Sequence, residues 1–301
     1  MKQADILEHP APTLLEEPPI AKPDRPWREA MLIFLRNRSA GIGLGLMLMI
    51  LLATLLGPGI YGVDPYSMVW APLSAPGEGT PLGTDYIGRD ILAGVLIGGR
   101  VTLLVGASAA ALTVVIGLIV GSLSGYFGGR TDAILMKITE FFQVLPSLLL
   151  AMVLVTIFSP TLGTIIFAIG IVGWTQIARL TRAEFMRIRG LDYVKAARVA
   201  GARDSYLMSR VILPAALPPV IVAAALTTGS AILFEAGLSF LGLGDANRMS
   251  WGLIIGQNKN YLLDAWWTVA APGFAIFLTV LAISLIGDGI NDALNPRQRK
   301  R

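Results

Sequence analysis

The sequence predicts an all-α membrane protein with six transmembrane helices, and three observations carry that prediction. The 301 residues are 54% hydrophobic and only 15% charged, with a mean hydropathy of +0.67, whereas a soluble domain carries about 25% charged residues. The apolar residues fall in runs long enough to cross a bilayer, which takes about 20 residues of helix. The basic residues are also sorted: residues 1–40, 124–140, 179–215 and 288–301 hold 20 of the 24 Lys and Arg, and only Arg89, Arg100, Arg248 and Lys259 lie in the alternate segments. By the positive-inside rule both termini are expected in the cytoplasm. The chain has no cysteine, and its single histidine, His9, lies in a proline-rich stretch. A thiolate or histidine metal site and a His-dependent catalytic triad within the membrane are therefore excluded. The net charge of +4 is explained by this sorting and calls for no nucleic-acid partner.

Residues 1–26 hold six prolines and no apolar run, which reads as a disordered cytoplasmic tail rather than a signal peptide. Residues 27–40, with apolar side chains beside Arg28, Arg36 and Arg38, suit a helix lying in the membrane interface. The first transmembrane helix is expected over 41–60. Residues 61–100 are expected to form an extracytoplasmic Gly/Pro-rich loop and a lead-in helix capped by Thr84, with Asp85 in its first turn and an Arg89–Asp90 pair at the interface.

A five-helix core follows over 101–290. Its first helix, Val101 to Gly129, is free of charge and spaces Gly117, Gly121 and Gly125 four apart for close helix packing. Asp132 is placed to cap the next helix, near whose start Lys137 and Glu140 are expected to pair. Phe141 to Ala178 is uncharged for 38 residues. That is too long for one span, so it divides at Ser159-Pro160-Thr161, and Pro146 should kink the first of the two. The remaining spans are read at Ala215 to Phe240 and Ala265 to Gly287, with Trp251, Tyr261, Trp266 and Trp267 at interfacial depth between them and residues 291–301 as a cytoplasmic tail. Glu235 falls inside a span, where an unsatisfied carboxylate costs about 2.5–3.5 kcal/mol. It is therefore expected to face the pathway or a protein partner, with Ser239 one turn away.

The loop 191–214, LDYVKAARVAGARDSYLMSRVILP, is a polar, basic island between these runs. Asp192 is placed to cap a helix whose first turn holds Tyr193 and Lys195, and Gly201 to close it. About two turns are too few for an isolated helix in water, so packing must hold it. Ala196, Ala197 and Ala200 form a small face that admits a close neighbour, flanked by Lys195 and Arg198.

These residues resemble the cytoplasmic loop of the membrane subunits of ATP-binding-cassette importers, E-A-A, three residues, G, about ten residues, I-x-L-P. Ala196, Ala197, Gly201, Leu213 and Pro214 match, while Lys195 stands in place of Glu. Three further strings are similar to the dipeptide, oligopeptide and nickel subgroup: Leu82-Gly83-Thr84-Asp85 with Gly88-Arg89-Asp90, Gly237 to Gly244, and Gly287-Asp288-Gly289 through Pro296-Arg297. The resemblance implies a type I importer permease in the inner membrane, with this loop as the coupling helix. It also implies a homologous second permease, two ATPase subunits or domains carrying ATP and Mg, an extracytoplasmic solute-binding protein and alternating access. The chain has no G-x-x-x-x-G-K-[ST] string with which to cradle ATP itself. Peptide is the expected cargo, and a nickel chelate or another small solute is the alternative. From another class, an ATP-independent secondary transporter or channel would use Glu235 as its ion site. An intramembrane enzyme has little support, because no second acid pairs with Glu235.

Overall fold

A computed structural model describes residues 26–77 and 79–294, with backbone alone at 26–30. The expected tail through residue 25, with His9, and the C-terminal residues from Asn295, with Pro296 and Arg297, lie outside the described residues. α1 (Pro26–Arg36) ends at Asn37, whose carboxamide oxygen accepts from the N–H groups of Ser39 and Ala40 and so caps α2 (Arg38–Tyr61). Among the described residues there is no strand, only isolated bridges such as Met68 with Arg89 in the segment 62–90. α3 (Ile91–Phe127) starts where the Asp90 carboxylate accepts from Ala93 N–H at 2.9 Å and from the Tyr61 hydroxyl at 2.7 Å. Its 37 residues run for about 55 Å, well beyond a hydrocarbon core.

α4 (Gly129–Val144) and α5 (Ser147–Phe158) meet at 88° across Leu145 and Pro146. The cause is local. Proline drives the preceding residue out of helical space, and Leu145 sits at φ −72, ψ 131. α6 (Leu162–Arg189) is capped by the Thr161 hydroxyl, which accepts from Thr164 N–H. α7 (Asp192–Val199) and α8 (Asp204–Tyr206) follow, and a wide π turn at Leu207–Ile212 leads into α9 (Leu213–Leu238), which ends in a second π turn at Ser239–Leu243. α10 (Trp251–Asn258) and α11 (Trp267–Leu294) complete the chain. Among the described residues five stretches are long and apolar enough to cross a membrane, and the bent pair α4 and α5 brings the number to six if it makes one span.

The packing is organised around α3 and α6. A Cβ on Gly117 would lie 2.6 Å from Ile177, one on Gly121 2.4 Å from the Ala178 carbonyl, and one on Gly125 2.6 Å from the Arg182 carbonyl. The four-residue spacing of these glycines therefore makes a face with no side chains, along which the two backbones touch. α2 leans on α11 through Gly43, against Leu285 and Ala282, and through Ala40, against Gly289.

Several expected local features differ. The lead-in helix is the first turns of α3, continuous with the span that follows it, and its cap is Asp90 rather than Thr84. Arg89 pairs with Asp85 at 2.6 Å, leaving Asp90 for the cap. Thr84 is fully buried and ties the connecting segment to itself, accepting from Ser74 N–H and donating to the Ala71 carbonyl. Asp132 lies in the first turn of α4 and Gly128 is its cap residue. Lys137 and Glu140 are both exposed, and no ion pair joins them among the described residues. Pro146 breaks its helix in two rather than bending it.

Gly121→Ala should therefore push α3 and α6 apart and destabilise the protein by about 1–3 kcal/mol. Gly45→Ala, which meets nothing within 4 Å, should be neutral or slightly stabilising. Thermal unfolding of the purified variants in one detergent checks the contrast.

Candidate functional site

The loop between α6 and α9 is held as packing requires. Leu191 occupies the N-cap of α7 and makes no side-chain capping bond, so Asp192 is the first helical residue rather than the cap. Its carboxylate takes the Lys195 ammonium at 3.0 Å, an exposed pair worth little. At the other end Gly201 sits at φ +87. Its N–H donates to the Arg198 carbonyl at 3.0 Å, and that of Ala202 to the Ala197 carbonyl at 3.1 Å, which is the double closure of a Schellman motif.

Val194 is 1% exposed and, with the half-buried Ala197, packs into a cluster of Tyr126, Phe185, Ile188, Leu207, Ile212 and Ala216. Ala197 thus belongs to the anchoring side of α7. Ala196 is exposed whereas Ala197 lies against that cluster, so the two alanines do not form one outward face. The outward side carries Tyr193, Lys195, Ala196 and Ala200 together with Val199, which is 90% exposed. Val199 is the residue sequence reasoning passed over. An apolar side chain between Arg198 and Ala200, two positions before the closing glycine, was the available signal.

Arg198 also turns inward. Its guanidinium donates to the Tyr126 hydroxyl at 3.1 Å and lies 5.6 Å from the ring centre, while that hydroxyl donates to Asp204. Arg189 donates to the Tyr126 carbonyl. Leu213 packs on the same cluster, and Pro214 sits in the first turn of α9, where a missing N–H is tolerated. Below this anchor the guanidinium of Arg182 donates twice to Asp132, at 2.5 and 2.6 Å, and Ser124 donates to the same carboxylate. The ends of α3, α4 and α6 and the loop are therefore one braced unit.

Glu235 and Ser239 stand elsewhere than expected. They are 2% and 1% exposed, so neither meets a pathway or a partner surface here. The Glu235 carboxylate accepts from the Ser239 hydroxyl at 2.7 Å and the Ser250 hydroxyl at 2.8 Å, and Ser250 also caps α10. Both hydroxyls reach the same carboxylate oxygen, which ties α9 to α10, and the other oxygen is buried without a hydrogen-bond partner among the described residues.

A cavity of about 710 Å³ opens instead above the bend between α4 and α5. α9 contributes Thr227, Ser230, Ala231 and Phe234, α6 contributes Val172, Gly173, Gln176 and Arg179, and Gln143 and Ser147 flank the bend. The sequence signal was present: polar residues recur at spacings of three and four within otherwise apolar helices.

A bent, multi-pass helical bundle that presents a braced, charged loop at one end is the architecture of a membrane transport subunit. Residues 114–300 match the family model for the binding-protein-dependent transport system inner membrane component, and residues 25–76 match that for the N-terminal TM domain of oligopeptide transport permease C. The chain is 39% identical over 297 residues to the di/tripeptide transport system permease protein DppC of Pseudomonas aeruginosa, covering 96% of this chain and 97% of that one. It is 36% identical to the oligopeptide transport system permease protein OppC of Bacillus subtilis, covering 91% and 90%. Among solved structures, an inward-facing MetNI methionine ABC transporter shares the fold, with a TM-score of 0.57 at 22% identity over 67% of this chain and 96% of that one. The chain belongs to the family of binding-protein-dependent transport system inner membrane components, as a multi-pass permease subunit.

Tyr126→Phe removes the hydroxyl shared by Arg198 and Asp204 and nothing else. The bonds involve charged partners, so the loop should loosen by about 1.5 kcal/mol. Amide exchange over residues 192–206 should rise about tenfold, while α3 and α6 keep their protection.

Proposed function

We propose that this chain is the membrane subunit of an ATP-driven peptide importer, forming half of the translocation pathway and coupling to a separate ATPase. The observation that carries the coupling is the outward face of α7, where Tyr193, Ala196, Val199 and Ala200 are displayed on a helix too short to stand without its anchor. Such a face fits a groove on a partner, and Lys195 at its edge adds charge. The loop lies among the segments rich in Lys and Arg, which supports a cytoplasmic position for it and for both termini. ATP and Mg bind on the ATPase, since this chain carries no phosphate-cradling string. A second permease completes the pathway, of which the cavity above the α4–α5 bend is this chain's share, and an extracytoplasmic binding protein delivers cargo.

Peptide cargo is supported by the names of the relatives, which match along nearly the whole chain. In the cycle, ATP-bound closure of the ATPases favours one arrangement of the paired loops and hydrolysis favours the other. Each state is selected by its differential contact with the loop.

Val199 makes almost no contact within this chain, so Val199→Glu leaves the fold intact and tests the docking face alone. Charging an apolar contact costs about 1–3 kcal/mol. ATPase recovered with the purified permease should fall about tenfold or more, and peptide-stimulated hydrolysis in vesicles should fall with it. Wild-type values for Val199→Glu and Ala200→Glu together would reduce the loop to a connector.

A further inference from the structure

We propose that Arg179 is a specificity-determining residue of the pathway, a fixed positive charge that pairs in passing with a carboxylate of the cargo; this rests on the peptide-importer reading above. Among the described residues that line the 710 Å³ cavity, Arg179 alone is charged. Its partner is a neutral one, the Gln143 carboxamide oxygen at 3.1 Å, which engages one of the five N–H donors of a guanidinium. Arg182, three residues on along α6, shows what a structural arginine looks like in this protein: its planar fork is filled by the two oxygens of Asp132. No described carboxylate lies in ion-pair range of Arg179, and its side chain is exposed to the cavity.

The surrounding wall also favours an anion. α5 begins at this wall, and its N-cap residue, Pro146, supplies no side-chain acceptor, so its first N–H groups face the bend uncapped. Thr113 on the same wall is 1% exposed and its hydroxyl is closed off from the cavity, so the polar groups open to a cargo here include Gln143, Gln176 and Arg179. A volume of this size holds a small peptide, and an acidic side chain gives that peptide a carboxylate beyond the one that every free C-terminus carries. In a cavity with low-dielectric walls one unbalanced charge discriminates by ligand charge, because the field is little screened.

The test is ATP-driven uptake into vesicles that hold the complete transporter, with its binding protein, of three tripeptides with free termini and a central Asp, Ala or Lys. Uptake by each variant is taken relative to wild type for each peptide. Arg179→Gln should lower the Asp peptide about tenfold more than the Lys peptide, Arg179→Glu should widen that gap, and Arg179→Lys should keep the wild-type order. ATPase co-purification should stay at the wild-type level throughout. Equal loss of all three peptides in every variant, or a charge order that no variant alters, overturns the assignment and leaves Arg179 a bracing residue. Should Arg179→Gln fail to assemble, the order seen with Arg179→Lys and Arg179→Glu decides in the same way. Failure of wild type itself to import any of the three overturns the peptide reading, and this inference falls with it.

Discussion

The line of contact between α3 and α6 is the constraint to which the rest of the structure is referred. Three glycines one turn apart remove every side chain from the α3 face, and carbonyls and Cβ atoms of α6 fill the space. Such packing has no slack, so the helix ends are fixed as firmly as the contact itself. At one end it sets Arg182 against Asp132 and Phe185 and Ile188 against Tyr126. Those residues form the socket that receives Val194. A helix of two turns, unstable alone, thereby becomes a rigid extension of the membrane core, and force applied to its outer face acts on α3 and α6 directly.

The chain handles polar groups within its apolar body in two ways, and α9 shows both on adjacent residues. Glu235 points into the protein, where one of its carboxylate oxygens accepts from Ser239 in the turn after α9 and from Ser250 at the start of α10. Phe234, about 100° around the helix, lines the cavity with Thr227 and Ser230. One side is closed and structural, and the other is open and polar. The same division separates Arg182 from Arg179 on α6.

Much of this was legible in the sequence, for physical reasons that also explain the failures. Charge-free runs mark spans because the bilayer penalises charge, and the glycine spacing marks a contact because only glycine allows it. The start of α3 was misplaced because Arg100 interrupts its apolar run. Its guanidinium donates to the Thr54 and Leu55 carbonyls at 2.8 and 2.7 Å, so the charge is tolerated inside one continuous helix. Ala197 was assigned to the outward face because its residue type was read without its angular position. For Glu235, depth alone reveals that a carboxylate needs company, which the pathway or a protein partner would equally supply, and not that Ser239 and Ser250 reach one of its oxygens. The severity of the break at Pro146 was beyond reach, since a proline permits anything from a kink to a right angle.

The right angle between α4 and α5 bears on how much of this protein a membrane tolerates. The halves are 16 and 12 residues long, about 24 and 18 Å, so neither crosses a hydrocarbon core of about 30 Å unaided. The bend also leaves Gln143, Gln176 and Arg179 exposed on one flank of the chain. Lipid against that flank would cost several kcal/mol for the arginine alone, so water or protein must cover it.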